Sequence, residues 1–124
     1  MSIRMSNTSD MPVLPHNVVK YSQVPSEKRG FFTAAKTPKG LLNKHNTKEG
    51  TWGVIRVHRG KLLYEINPDE TQDKTRTFEL TTDGPPGIIE PTKYHRVAPL
   101  TDDLEFYVEF YRLPGTGPVD EKRE

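Results

Sequence analysis

Apolar side chains along this chain come in short runs, each closed by residues that favour turns. Nine such runs can be marked. Val18-Val19-Lys20-Tyr21 precedes Pro25, "GFFTA" begins at Gly30, "GLLNKH" follows Pro38, and "WGVIRVH" leads into Arg59-Gly60. "KLLYEI" ends at Asn67-Pro68, "TFELTT" at Asp83-Gly84, "GIIE" at Pro91, "HRVAPL" at Thr101-Asp102, and "LEFYVEFYRL" at Pro114-Gly115. Short alternating or apolar runs bounded by Gly, Pro, Asn and Asp predict β-strands. In the last run the period of two puts Leu104, Phe106, Val108 and Phe110 on one face and Glu105, Tyr107, Glu109 and Tyr111 on the other. No window carries a sustained helical repeat, and at most one turn of helix is expected, near "SEKR" at residues 26–29. Arg59-Gly60 between "WGVIRVH" and "KLLYEI" predicts a tight hairpin, and "INPDETQDKTRTF" an exposed, charged connection. The pattern as a whole predicts an all-β fold, a sandwich or small barrel.

Composition sharpens this. Hydrophobic residues are 32% of 124, and mean hydropathy is −0.76, so a single polar domain with loose ends is expected. The expected division is a flexible segment over residues 1–15, a domain over 16–113 and a flexible tail over 114–124. Eleven prolines and nine glycines oppose long helices. A net charge of +1, with no long run of one sign, gives no reason to expect nucleic acid or an anionic membrane as partner. The absence of cysteine removes disulfides, thiolate catalysis and thiolate zinc sites. No apolar run is long enough to span a bilayer, and the start lacks a secretory signal, so a cytoplasmic location is expected.

Chemistry centres on histidine. Of the four, His16 receives no role, and His58, beside the Arg59-Gly60 turn, is expected in solvent. His45 and His95 fall at strand ends far apart in sequence, where a small barrel can bring them face to face across its cavity. Two imidazoles and a carboxylate make an open metal site; Glu109 is the best third ligand, though on the residues alone it reads equally as a surface residue on a water-facing strand face, and Glu49 and Glu90 are weaker alternatives. Trp52, Arg56, Tyr94 and Tyr107 are candidates for a substrate pocket around that site, each equally readable as a packing or surface residue. No nucleophile–base pair is visible, so metal chemistry is the one enzymatic route the residues offer.

These residues also carry a resemblance. Gly40, His45 and Gly60 match the outer posts of the first cupin motif, with Thr47 at the place of its second histidine and Gly53 near that of its glutamate. Gly87, Pro91 and His95 match the second motif, with Lys93 at its inner glycine. The stretch His45, Thr47, Gly50, Trp52, then Val57 and Gly60, then Tyr94-His95 with Val97 and "EFYVEFYRLP", resembles the small TehB-like cupins from about Pro15 to Leu113. The resemblance implies a cupin-type double-stranded β-helix, a small jelly-roll barrel. It also implies a bound divalent metal (Zn first, then Fe, Ni or Mn) and a link to tellurite or nitrogen-oxide stress. Some longer members place such a domain ahead of a methyltransferase domain, for which 124 residues leave no room. The expectation is therefore a metal-binding cupin that binds or acts on a small molecule or oxyanion. The alternative is a non-enzymatic ligand-binding or interaction module with a structural metal or none. A homodimer is expected under either reading.

Overall fold

The computed structural model describes residues 10–115; the expectations for residues 1–9 and 116–124 lie outside the described residues. Eight strands form: β1 (Val19–Val24), β2 (Phe32–Thr33), β3 (Trp52–Arg59), β4 (Lys61–Ile66), β5 (Arg76–Thr81), β6 (Gly87–Ile89), β7 (His95–Pro99) and β8 (Glu105–Arg112). The only helical pieces among the described residues are a 3₁₀ turn at Glu27–Arg29 and a one-turn helix, α1 (Lys39–Leu42). The protein is all-β, as the run pattern predicts.

The strands form two antiparallel sheets. The larger has the order β1-β8-β3-β6, with β2 also paired to β8, and the smaller has the order β5-β4-β7. Their facing sides share one core: Ile55, Phe106 and Val108 come from the large sheet, and Leu62, Tyr64, Phe78 and Val97 from the small one. The buried Tyr64 hydroxyl crosses the interface and donates to the Ile88 carbonyl at 2.7 Å, which satisfies a polar atom that burial would otherwise penalise. Met11, inside the segment expected to be flexible, also packs against this core.

The structure corrects the sequence reading in three places. Among the described residues there is no closed barrel, because the two sheets do not pair with each other. The hairpin expected at Arg59-Gly60 is instead a crossing between sheets, since β3 pairs with β6 and β8 whereas β4 pairs with β5 and β7. Gly60 is required there: its φ is +77, and a Cβ would lie 2.9 Å from Leu104 Cα and clash with Thr101. Finally, "GLLNKH" is not a strand. Pro38 opens α1, its carbonyl accepting from Leu41 N–H at 3.0 Å, and Asn43 closes the turn by donating through Nδ2 to the Lys39 carbonyl at 2.9 Å. With Gly40 between Lys39 and Leu41 the run has no period-two alternation, and Leu41 alone reaches the core.

Candidate functional site

His45 and His95 meet because their backbones do. Beyond α1 the chain runs antiparallel to the start of β7, and the two residues exchange both hydrogen bonds: His45 N–H to His95 O at 3.0 Å and His95 N–H to His45 O at 2.8 Å. Residues paired this way project side chains to the same side, and the ring centroids lie 4.1 Å apart, edge to face. The histidines are thus neighbours on one ladder, not residues facing each other across a barrel.

The two also share a local device. His45 Nδ1 lies 2.8 Å from the Asn43 carbonyl, and His95 Nδ1 lies 2.9 Å from the Lys93 carbonyl, each two residues back along its own chain. A carbonyl only accepts, so each Nδ1 carries the proton and each Nε2 keeps its lone pair. Burial lowers the pKa of His45, outweighing the opposing bond to Asn43. Burial, helped by the neighbouring His45 ring, lowers His95 to about 4. Both imidazoles are neutral at pH 7. On the far side of the bridge Lys44 lies over the Tyr94 ring, 4.3 Å from its centroid.

The pair opens into a cleft of about 600 Å³ between the sheets. Its walls are mostly apolar: Ile55, Ile89, Val97, Phe106, Val108 and Phe110. Asn46, Thr47, Lys48 and Thr51 contribute from the loop after His45, and Tyr21 and Ser22 from β1. Arg112 stands over the Tyr21 ring at 4.0 Å. No acidic side chain lines this cleft among the described residues.

The remaining expected site residues lie elsewhere. Pairing of β3 with β8 sets Trp52 opposite Tyr111, Val54 opposite Glu109 and Arg56 opposite Tyr107, on the face of the large sheet turned away from the cleft. There Glu109 accepts from Arg56 Nε at 2.6 Å and from the Tyr111 hydroxyl at 3.2 Å, with Lys20 Nζ at 3.2 Å. Burial raises the Glu109 pKa, but Arg56 and Lys20 together outweigh it and the net shift is downward. Arg56 and Tyr107 line a separate pocket of about 200 Å³ on that outer face, beside His58, which stacks on Phe31 with centroids 4.4 Å apart. Tyr94 contributes no wall to the cleft.

Glu109 therefore does not complete a metal site with the histidines. Glu90 lies 3.7 Å from Arg76, and Glu49 does not reach the cleft wall. Among the described residues no group of three or more His, Asp or Glu side chains is placed to hold an ion. The error lay in assuming that the polar face of β8 lines the cavity; it is the apolar face, Phe106, Val108 and Phe110, that does so. Those residues, together with Lys48, were the ones sequence reasoning missed. The signal was available, since two packed sheets close on their apolar faces.

The chain is 35% identical over 99 residues to a Haemophilus influenzae protein named "Probable S-adenosyl-L-methionine-dependent methyltransferase TehB", an alignment covering 79% of this chain and 32% of that protein. A crystal structure of TehB from Haemophilus influenzae superposes with a TM-score of 0.68 at 32% identity, again over 79% of this chain and 32% of that one. A protein from Escherichia coli K12 superposes with a TM-score of 0.70 at 23% identity, covering 84% of this chain and 99% of its own, which speaks to fold alone. "Uncharacterized protein YeaR" of Escherichia coli K12 is 24% identical over 104 residues, covering 82% of this chain and 83% of its own. This chain thus spans about a third of the TehB relatives. Their name states S-adenosylmethionine-dependent methyl transfer, not a metal-dependent reaction. The expectation of a metal-binding cupin function, and of Zn, Fe, Ni or Mn as cofactor, is overturned on both counts. No helix among the described residues is long and apolar enough to cross a membrane. The TehB-like domain family matches residues 28–108, nearly all of the two-sheet body, and the chain belongs to that family.

Proposed function

We propose that this protein is a small-molecule-binding module whose site is the cleft between the sheets, acting by recognition and not by chemistry of its own. The observation that carries the reading is the His45–His95 pair: two neutral imidazoles with lone pairs unused by the described residues, at an apolar cavity of about 600 Å³. A concave, mostly apolar site with a few convergent polar groups is the usual form of a ligand pocket. His95 is 2% exposed, and an acceptor so buried costs free energy unless a partner fills it. The outer-face residues offer no comparable opportunity, because Glu109 already meets three donors.

Methyl transfer and S-adenosylmethionine, stated in the name of the Haemophilus relatives, enter here as a proposal about the longer proteins. A TehB-like domain would serve there to hold an organic acceptor, with S-adenosylmethionine as methyl donor to the assembly. The tellurite link belongs to this reading as an association, not a mechanism. Cupin kinship is likewise part of the proposal: antiparallel strands in two packed sheets, with the chain crossing between them at Gly60, are consistent with an opened jelly roll.

The test is calorimetry and thermal melting of the purified chain against small aromatic acids and phenols. Ser22→Trp is the control, because Ser22 is an exposed β1 residue at the cleft wall, where a bulky side chain obstructs the cavity without disturbing the core. A binder that raises Tm in the wild type and not in Ser22→Trp supports the site. Binding unchanged by Ser22→Trp removes it.

A further inference from the structure

The walls of the cleft restrict which molecule it accepts, and this inference rests on the ligand-binding reading above. His45 and His95 line it, and their two Nε2 acceptors meet no donor among the described residues, since both Nδ1 protons are committed to the Asn43 and Lys93 carbonyls. His95 is 2% exposed, so water meets its ring only by entering the cleft. Its aromatic and branched walls come from Phe106, Phe110, Ile55 and Val97. Lys48 lines the cleft from an exposed position, and Arg112, which also lines it, lies over the Tyr21 ring. With no carboxylate on the walls among the described residues, a cationic ligand would bring an uncompensated charge into an apolar, positively rimmed space.

We infer that the cleft selects a weakly acidic or neutral hydroxyl (or primary amide) carried on a compact apolar body with an anionic group at its other end, so that a proton donor reaches the His45–His95 Nε2 pair while the anion faces Lys48. Lys48 is three residues from His45, a backbone reach of about 10 Å at most, which suits a body the size of one aromatic ring. A site built around buried acceptors discriminates by the donor: a ligand that presents an alkylated oxygen leaves Nε2 unpaired, and the loss exceeds that of a merely missing contact. A methylated hydroxyl is thus rejected where a free one is held.

The measurement is a calorimetric titration of the full chain with three probes: 4-hydroxybenzoate, 4-methoxybenzoate and phenol. The inference expects 4-hydroxybenzoate to bind about tenfold or more tightly than 4-methoxybenzoate. It expects His95→Phe to erase that ratio by removing one acceptor at similar shape. His45→Phe, at the half-buried member of the pair, should narrow the ratio even where His95→Phe proves too unstable to purify. Lys48→Glu should weaken both carboxylates and leave phenol unchanged. Equal wild-type affinity for the hydroxy and methoxy acids, or phenol bound more tightly than 4-hydroxybenzoate, overturns the inference. If the methoxy acid binds equally and Ser22→Trp still blocks it, the donor rule falls and the ligand-binding reading stands. If none of the three binds at millimolar concentration, both fall.

Discussion

The two faces of the large sheet are built from the same strands and have opposite characters. On the inner face, Ile55, Phe106 and Val108 close against the small sheet and leave a cleft where two histidine acceptors stand without partners among the described residues. On the outer face, Arg56, Lys20 and Tyr111 converge on Glu109 and satisfy it. Charged groups draw attention in a sequence, yet here the charged face is the completed one. Buried polarity points to a ligand when its hydrogen bonding is unfinished, and to structure when it is closed.

The largest expected difference between the faces is in packing. Phe106→Ala should cost about 3–5 kcal/mol in denaturant unfolding, since Phe106 is 0% exposed in the core, whereas Tyr107→Ala, next in sequence and facing outward, should cost under about 1 kcal/mol. Equal costs would mean that the outer face is covered in solution.

The next difference is in pH windows. His95 titrates at about 4 in the folded protein against about 6.5 unfolded. The unfolded chain therefore binds more protons between those values, and stability falls as pH drops from about 6.5 to 4, by up to about 3 kcal/mol. His45, shifted in the same direction by its burial, adds to the loss as pH falls below the ordinary histidine range. Glu109, held down by Arg56 and Lys20, stabilises above the ordinary carboxylate range, and that share disappears only as pH falls through its lowered pKa. His95→Phe should flatten the upper slope and leave the acid limb, while Glu109→Gln should do the reverse. A single acid limb unchanged by His95→Phe would show that the inner pair is not buried as described.

A smaller effect belongs to the outer network alone. Arg56→Ala should cost about 1–2 kcal/mol, because Glu109 keeps Lys20 and the Tyr111 hydroxyl and because the Arg56 side chain is itself partly solvated. Ser22→Trp should leave Tm within about 0.5 kcal/mol equivalent of wild type while blocking the cleft, which separates recognition from stability most cleanly.

Much of this was legible in the residues. Eight of the nine marked runs became strands, and the 3₁₀ turn at Glu27–Arg29 sits at the expected "SEKR". The inner and outer sets of β8 followed directly from its alternation. The exception was "GLLNKH", where a proline start and an asparagine stop supplied local hydrogen bonds that outweighed a weak strand pattern. Adjacency of His45 and His95 was expected for a different reason: a barrel cavity was supposed to bring them together, and a two-residue backbone ladder does so. Glu109 was misplaced because alternation says which residues share a face but not which face is covered.

The sequence by itself determined that the chain makes short strands, which residues share each strand face, and that the turn at Gly60 needs a residue tolerant of positive φ. These are matters of local sterics and a period of two, fixed within a few residues. Only the tertiary structure decided that β3 and β4 part into different sheets, that the apolar faces enclose a cleft, and that two imidazoles share it while Glu109 does not. Those outcomes depend on pairings between residues dozens of positions apart, such as Val54 with Glu109 and His45 with His95, and no local pattern specifies which partners a strand edge will find.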